Sequence, residues 1–437
     1  MKEFLSKIKT KVDQAEIYHY ETILNVIDFQ NGKLTELEGK IQSGYSLRII
    51  KDHNIGFAYT KNLNNPELLL EGALSSLKAE TKTNLRFPEN KNKSKLKNYD
   101  PGIENVTNKV VVEECKKIIK TLKEKLDTKI DVRIIYGTEK IQIMNTNNSE
   151  LSEVFSTYML VCDVVFPNTA GGLYYLCRNK NFTPTSEVDL NNMIEMYQKA
   201  LTERKIQSGK MKVLFLPTTL YALLWRLQSG TSGGNIYYKK SPLINKIGEK
   251  IFSEKLTIYE DPHNENYPFA RAFDDEASPT KKLMIVEKGV LKNFYYDLFY
   301  ADKMGVASTG NGYKGAMWGG EYAALKPIPA LEHLIIEPGE KSLQEIIRSM
   351  DKGVIVAGVL GAHSGNIPNG DFSIGIDPCL YVENGEILGR AKNTMIAGNI
   401  YDVMKNVVEI ENKLHPTYMA GKAIPAILFD DIMVVSA

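Results

Sequence analysis

The chain has 437 residues, of which 43% are hydrophobic and 24% are charged, with 54 Lys and Arg against 53 Asp and Glu. This length and composition predict a globular protein of two or three domains. The net charge of +1 excludes a strong overall field that would attract DNA or an anionic membrane, so nucleic acid is not an expected partner.

The N-terminal segment has the pattern of an amphipathic helix, not of a secretory signal. Apolar residues recur at helical spacing from Phe4 to Val12, without an uninterrupted apolar core or a small-residue cleavage site. The longest apolar run, residues 353–360, is far too short to span a bilayer. Four scattered cysteines without CxxC spacing fit a reducing compartment. We therefore expect a cytoplasmic protein that is not embedded in a membrane.

The first half of the chain contains both strand and helix patterns. Residues 15–60 hold β-branched and aromatic runs, and Asn31-Gly32 marks a hairpin turn between two of them. Helices are predicted after Pro66 and over residues 111–126. The stretch 87–106, rich in Pro, Asn and Lys, is predicted as an exposed loop or linker. The remaining predictions are strands at 130–136, 141–145, 155–166 and 173–177 and a helix at 188–202.

From Lys212 onward the predicted elements are short, strand-rich and separated by many glycines. Strands that do not alternate regularly with helices favour an α+β fold over a doubly wound parallel sheet. We expect a mixed N-terminal domain over residues 1–205, in which helices pack on an antiparallel or mixed sheet. A strand-rich C-terminal domain is expected over residues 206–437. Its predicted helices are at 218–227, 296–304 and 343–350.

Two glycine-rich stretches have the form of functional motifs. Residues 310–315 satisfy the dinucleotide pattern GxGxxG, but a helical pattern precedes them and no helix opens after them. Residues 310–320 are therefore predicted to be a flexible loop. His363 precedes a Ser in a second glycine-rich loop. A solvated loop histidine is favoured over a catalytic triad, because no acid is positioned beside it.

Acidic residues cluster at Glu260-Asp261-Pro262-His263 and at Asp274-Asp275-Glu276. Carboxylates with a His could hold a hard cation or perform acid–base chemistry. A turn at Asp-Pro and a hydrogen-bonded acidic loop are favoured instead, since the spacing matches no metal motif. None of the six histidines is followed by Glu and no two lie three to five residues apart, which excludes a zinc site on one helix.

Short stretches, in order along nearly the whole chain, resemble the TldD/PmbA family of peptidases. Each stretch alone is weak evidence, but their order and spacing are specific. The sequence departs from the usual family text at Ala277, where Gly is common, and at Asp377-Pro378. The resembling stretches are residues 29–34, 44–48, 56–58, 232–237, 241–243, 246–248, 273–276, 287–291, 308–311, 370–373, 382–387 and 394–399.

The resemblance implies an α+β fold, dimers, and a cytosolic protease that processes or degrades peptides, in which TldD-type and TldE-type subunits pair. The TldD-type subunit supplies zinc through a helical His-Glu-x-x-x-His motif and a Cys near its C-terminus. Here Trp225, Arg226 and Gly230 stand at the His, Glu and His positions, and residues 415–437 contain no Cys. An indole and a permanent cation cannot ligate zinc. The resemblance thus implies a TldE/PmbA-like subunit without metal or cofactor of its own.

Three functions remain open. The first is a non-catalytic partner of a TldD-like zinc metalloprotease, which acts on peptides and forms a homodimer when isolated. The second is a regulatory binding protein of the DNA-gyrase-modulator type, and the third is an independent metal-dependent hydrolase that uses the 260–276 acidic cluster. Trp225 is expected in packed core rather than beside a cleft or dimer seam. Candidate cleft or partner residues are Asp274, Asn311 and His363.

Overall fold

The N-terminal half is built on one antiparallel sheet. A computed structural model describes residues 1–92, 94–315, 320–418 and 421–436. The sheet has the strand order β3-β2-β1-β4-β5-β6, with strands β1 (Gln14–Gln30), β2 (Lys33–Lys51), β3 (Asn54–Thr60), β4 (Ile130–Asn145), β5 (Glu150–Val165) and β6 (Gly172–Asn179). The helices of this half are α1 (Lys2–Ile8), α2 (Pro66–Ser76), α3 (Asn108–Lys123) and α4 (Glu187–Lys199).

The turn between β1 and β2 has the backbone geometry that its sequence predicts. Asn31 and Gly32 have φ angles of 48° and 73°, as a two-residue turn between twisted strands requires. By contrast, β4 runs unbroken where two strands were predicted. A Cβ at Gly137 would lie 2.1 Å from the Ile23 carbonyl oxygen. This glycine therefore permits close contact with β1 and does not mark a turn.

The stretch 87–106 was predicted to be exposed, and the structure differs from that expectation. Phe87, Asn90 and Asn98 are buried. Asn90 Nδ2 donates to the Ala277 carbonyl and Asn98 Nδ2 to the Ala270 carbonyl, at 3.0 and 2.5 Å. The described part of this stretch therefore packs between the two halves of the chain. Its polar composition supplies hydrogen bonds to the protein backbone in addition to those it makes with solvent.

The C-terminal half contains most of the strands, which form three sheets. The largest sheet comprises β7 (Gly209–Phe215), β14 (Lys352–Val356), β15 (Val359–Leu360), β16 (Asp371–Ile376), β17 (Cys379–Glu383), β18 (Glu386–Ala391), β19 (Thr394–Asn399), β20 (Val407–Ile410) and β23 (Ile427–Ser436). A second comprises β8 (Ile258–Glu260), β9 (Leu283–Glu287), β10 (Val290–Leu291), β13 (Leu334–Ile336), β21 (His415–Pro416) and β22 (Ala423–Ile424). The third pairs β11 (Gly312–Lys314) with β12 (Pro327–Pro329).

Five helices of this half are described: α5 (Tyr221–Thr231), α6 (Gly233–Tyr237), α7 (Leu298–Met304), α8 (Leu343–Arg348) and α9 (Ile400–Val403). A core cluster joins the halves, because residues of β4, β5, α3 and α4 pack with Leu214, Ile355 and Leu380 of the largest sheet. The α+β prediction with a strand-rich C-terminal region is therefore confirmed. Among the described helices, none has the length and apolar character needed to cross a bilayer.

Candidate functional site

Helix α5 carries the three positions that the resemblance aligns with a zinc motif. Arg226 is fully buried and Gly230 is buried, whereas Trp225 is half-buried. The expectation that Trp225 is the buried core residue of this helix is therefore wrong. Residues four apart share a helix face, so Arg226 and Gly230 point inward together, while Trp225 follows the exposed Tyr221 on another face.

Arg226 places its guanidinium among backbone carbonyl groups. Nε donates to Asp371 O at 2.7 Å and Nη2 to Ser364 O at 2.6 Å. Nη1 donates to Ala222 O at 2.5 Å and to Ala362 O at 3.1 Å. Burial lowers the pKa of Arg226, but a guanidinium remains charged at physiological pH. The side chain therefore ties the loop between β15 and β16 to helix α5.

Gly230 has no room for a side chain. A Cβ at this position would lie 2.0 Å from Tyr401 Oη and 3.1 Å from Tyr401 Cζ. The Tyr401 hydroxyl, on helix α9, is itself buried and has no hydrogen-bond partner among the described residues. A tyrosine ring therefore fills the space into which a histidine at position 230 would extend.

The residues at these positions do not fit a zinc ion. Arg226 offers only donors, Gly230 offers no side chain, and an indole nitrogen is a donor without a free lone pair. His363 is exposed and lies between Ala362 and Ser364, whose carbonyls Arg226 binds. The structure thus brings His363 near Arg226. Within the described residues, no three His, Cys, Asp or Glu side chains are grouped to hold a metal ion.

The acidic triplet 274–276 forms a fully buried hydrogen-bonded loop. Asp274 accepts from the amides of Glu276 and Ser278 through Oδ1, at 3.0 and 2.8 Å, and from the amide of Gly312 through Oδ2, at 2.9 Å. Burial, and then the charge of Glu276, hold the pKa of Asp274 well above its usual range. The loop thus uses its carboxylates to bind its own backbone.

Asp275 connects the triplet to both halves of the chain. Its Oδ1 accepts from Arg271 at 2.8 Å and from the Tyr18 hydroxyl of β1 at 3.1 Å. Its Oδ2 accepts from the Lys314 amide and the Tyr322 hydroxyl, both at 2.8 Å. Burial would raise the pKa of Asp275, but Arg271 and these hydrogen bonds outweigh it and lower the pKa.

Glu276 anchors β2 to the C-terminal half. It pairs with Arg48, whose Nε also donates to Glu16 Oε1 at 3.0 Å. The other oxygen of Glu276 accepts from the Leu298 amide at 2.6 Å, at the beginning of α7. Sequence reasoning missed Arg48 as a partner of the triplet and Glu16 as the second carboxylate that Arg48 binds. The signal was the 44–48 stretch of the resemblance, which contains Arg48.

The GxGxxG loop binds carboxylates of the protein itself. The amides of Gly312 and Lys314, which would face phosphate in a dinucleotide site, donate to Asp274 and Asp275. Asn311 is buried and donates through Nδ2 to Ala330 O at 3.1 Å. Asp274 and Asn311 are therefore neighbours, as structural residues of one loop pair. Residues 310–320 were predicted to be a flexible loop, but Gly312–Lys314 form the buried strand β11, which pairs with β12. Residues 316–319 lie outside the described residues.

The first acidic cluster, residues 260–263, forms hydrogen bonds to groups that the triplet does not bind. Glu260 Oε1 accepts from the amides of Glu332 and His333 at 2.9 and 2.8 Å. His263 Nε2 lies 3.0 Å from Thr280 Oγ1, and the ring is exposed. Glu260 and the triplet therefore bind different protein groups, and Arg271 connects the two clusters, because its amide donates to the Pro262 carbonyl and its side chain to Asp275.

A groove of about 510 Å³ lies beside β6, the last strand of the N-terminal sheet. Its walls include Met193 and Met196 of α4 and the chain around His415. Arg178, on β6, lines this groove and also a second cavity between the two halves. Among the described strands, none pairs with the outer edge of β6, and such an edge beside apolar side chains is suited to binding an extended segment.

The chain belongs to the PmbA/TldD family. Residues 208–436 match the family's "PmbA/TldA metallopeptidase C-terminal domain" and residues 15–78 match its "domain 1". An uncharacterised protein of Methanocaldococcus jannaschii is 27% identical over 426 residues, 95% of each chain. A metalloprotease of the same organism is 24% identical over 424 residues, 93% of this chain and 91% of its own.

Solved structures have the same fold. The TldE structure from Thermococcus kodakarensis superposes with a TM-score of 0.89 at 23% identity and covers 100% of both chains. A Thermotoga maritima protein named as a candidate modulator of DNA gyrase has a TM-score of 0.82 at 26% identity, over 99% of this chain and 100% of its own. The fold therefore extends over the whole chain.

We predict that Arg226→Met destabilises the protein by roughly 3 kcal/mol or more, because four buried or partly buried carbonyl groups lose a charged donor. Urea unfolding measures this loss, and limited proteolysis should cut within residues 361–371 faster than in the wild type. Arg133→Met, at a partly exposed arginine of β4, is the control and should cost about 1 kcal/mol or less. An equal effect of both variants would contradict the role assigned to Arg226.

Gly230→Ala should destabilise the protein by about 1–3 kcal/mol, because the new methyl group meets Tyr401 Oη. Tyr401→Phe should be neutral or slightly stabilising, since the hydroxyl it removes is buried and unpaired. The double variant should recover most of the loss. Urea unfolding of the wild type, the two single variants and the double variant measures how far the two substitutions depart from additivity. If Gly230→Ala cost the same in both backgrounds, the Tyr401 hydroxyl would not be what occupies this space.

Asp297 caps helix α7 through the Tyr300 amide, and burial followed by the charge of Glu276 raises its pKa to about 8. The unfolded carboxyl titrates near pH ~4. The protonated Asp297 carboxyl therefore makes its full contribution to the stability of the folded protein below pH ~4. This contribution is lost as the pH rises from there through the folded pKa of about 8. In the variant Asp297→Asn, the amide oxygen can still accept the hydrogen bond from the Tyr300 amide, but the side chain does not titrate. Between pH ~5 and ~7, the free energy of unfolding of the wild type should thus fall by about 1 kcal/mol more per pH unit than that of Asp297→Asn.

Unfolding free energies across this pH interval test the prediction, with Asp127→Asn at an exposed carboxylate as the control. The control curve should run parallel to that of the wild type. A curve for Asp297→Asn that also runs parallel would mean that Asp297 is already ionised in the folded protein.

Proposed function

We propose that the chain is a non-catalytic subunit, of the TldE/PmbA type, in a cytosolic zinc metalloprotease complex that processes or degrades peptides. A TldD-like partner would carry the zinc. The observation that supports this proposal is the filling of the zinc-motif positions. Arg226 binds four carbonyl groups there, and Tyr401 occupies the space beside Gly230. The family fold is kept while its metal-binding positions are not.

Peptide handling would use the groove beside β6. The edge strand offers main-chain groups that can pair with any extended peptide, and the methionines of α4 offer apolar contacts without strict shape requirements. Such a surface would hold unfolded segments of varied sequence near the partner's zinc. We also propose that the isolated chain forms a homodimer, because a chain related to its partner can use a similar interface with itself.

The test compares the purified chain, a TldD-like chain with the His-Glu-x-x-x-His motif from the same cells, and their mixture. Elemental analysis and hydrolysis of an unfolded fluorescent peptide are the two measurements, and analytical ultracentrifugation reports assembly. We expect neither zinc nor hydrolysis for the chain alone. The mixture should form a complex, contain zinc and lose its activity on chelation. Hydrolysis by the purified chain that survives thorough chelation would refute the proposal.

Asp274→Asn is the control for the independent-hydrolase alternative. Under the proposal, the variant has the same metal content as the wild type, because Asp274 binds only backbone amides in the described structure. Stoichiometric metal in the purified chain that this variant loses would support the alternative instead.

A regulatory role is a second candidate, because the Thermotoga maritima relative is named as a candidate modulator of DNA gyrase. Affinity purification of the tagged chain from its own cells separates the two functions. Recovery of a TldD-like chain supports the protease complex, whereas recovery of gyrase without such a chain supports regulation.

A further inference from the structure

The outer edge of strand β2 is only partly paired. Strand β3 pairs with it from Tyr45 to Lys51, whereas β1 pairs with the other edge along nearly the whole strand. Among the described strands, none pairs with the outer side of residues 33–44, and we call this segment the free edge. Unpaired N–H and C=O groups along a strand are a template for a further strand. The free edge can therefore accept a strand from another molecule.

Apolar side chains at the free edge are exposed on one face of the sheet. Ile41 is 75% exposed, the largest fraction among the large hydrophobic residues of the described chain, and Leu37 is 50% exposed. Ile23 of β1 lies directly opposite Ile41 and is 49% exposed. Single exposed hydrophobic residues are common, but neighbours that form a patch indicate a contact with another protein. This patch adjoins the unpaired backbone.

The sequence of the free edge is complementary to itself in the antiparallel direction. Residues 36–42 read Glu-Leu-Glu-Gly-Lys-Ile-Gln, and their side chains alternate between the two faces of the sheet. A twofold axis at Gly39 would place each side chain opposite one of matching chemistry from a second copy. The pairs between copies are Leu37 with Ile41, Glu38 with Lys40, and Glu36 with Gln42.

The charges favour this register over its neighbours. A strand can shift by two residues without exchanging its faces, which moves the axis by one residue. An axis at Glu38 would oppose two glutamates, and an axis at Lys40 would oppose two lysines. Like charges directly opposite each other destabilise a strand pair. The free edge also has its midpoint at residues 38–39, so an axis at Gly39 permits the longest pairing.

The charged side chains of the free edge do not exclude a second strand. Charges protect an edge when an added strand brings like charges against them, and the axis at Gly39 brings opposite charges together. Within one chain, Lys40 Nζ lies 2.7 Å from Glu36 and 3.2 Å from Glu38. These partly exposed pairs contribute little to stability, so they can be exchanged for pairs between copies. The charges then select the register, while backbone hydrogen bonds and the apolar patch supply affinity.

We propose that two copies of this chain associate through the free edge, with a twofold axis at Gly39, so that their six-stranded N-terminal sheets form one continuous antiparallel sheet. This inference rests on the homodimer of the proposed function and assigns its surface. A contact through one strand edge and a small apolar patch buries less area than a standard interface of ~1,600 Å². We therefore expect a dimer with a Kd on the order of micromolar.

A charge exchange tests the register. Lys40→Glu would place negative charges opposite each other across the axis, and Glu38→Lys would do the same with positive charges. Each variant alone should dimerise at least about tenfold more weakly than the wild type, as measured by analytical ultracentrifugation. An equimolar mixture of the two should dimerise like the wild type, because each copy supplies the charge that the other requires.

Lys250→Glu is the matched control for the charge exchange. Lys250 belongs to an exposed Lys–Glu pair in the C-terminal half, where its Nζ lies 2.7 Å from Glu254. This variant should keep the wild-type Kd. The proposal is overturned if the wild type stays monomeric well above micromolar concentration, or if the mixture dimerises no better than its components. Neither result bears on the protease complex, which zinc content and hydrolysis by the mixture with a TldD-like chain decide.

Hydrogen–deuterium exchange locates the contact without any substitution. Outward-facing amides of residues 36–42 should exchange more slowly in the dimer than after dilution below the Kd, because they gain backbone acceptors. Residues 130–145 of the central strand β4 are the control and should not change. Protection of another surface but not of residues 36–42 would overturn the proposal. Protection that requires a TldD-like chain would also overturn it, because that chain would then be the occupant.

Discussion

Burial of three consecutive carboxyl groups, Asp274 to Glu276, is the constraint on which the rest of the structure depends. A buried carboxylate is costly unless donors or opposite charges surround it. The donors come from both halves of the chain, with Arg48 and Tyr18 from the N-terminal sheet and the amides of Gly312 and Lys314 from the C-terminal half. The halves must therefore dock for the triplet to be satisfied.

In the α5 region the buried charge is positive, and carbonyl groups stabilise it as the donors stabilise the triplet. A fully buried guanidinium would be costly alone, but four carbonyl groups surround it, three of them from residues 362–371. The backbone of this loop is then held by a side chain of the protein. Gly230 and Tyr401 belong to the same arrangement, since the ring fits only beside a residue without a side chain. The changes at the zinc-motif positions are thus physically coupled rather than separate losses.

Local patterns predicted what depends on local physics. The Asn31-Gly32 turn, the helix after Pro66 and the α+β class follow from φ preferences and hydrophobic period. The role of Gly137 and the burial of Asn90 and Asn98 depend on strands and loops distant in sequence, so composition gave the wrong expectation. On α5, size suggested Trp225 as the core residue, although the four-residue period through Ala222, Arg226 and Gly230 indicates the buried face. Tyr401 could not be found from sequence, because no pattern links it to position 230.

Satisfied and unsatisfied polar groups distinguish what the parts of this molecule can do. The bonded nitrogens of Arg226 have carbonyl acceptors, so this side chain acts as a rigid part of the fold, whereas the neighbouring Tyr401 hydroxyl has no hydrogen-bond partner among the described residues. Around the triplet, the carboxylates are likewise occupied by amides and cations. Arg178 and Tyr313 instead keep buried donors without acceptors in the described structure. A buried unpaired donor costs free energy, and these two groups carry that cost inside the protein without access to solvent.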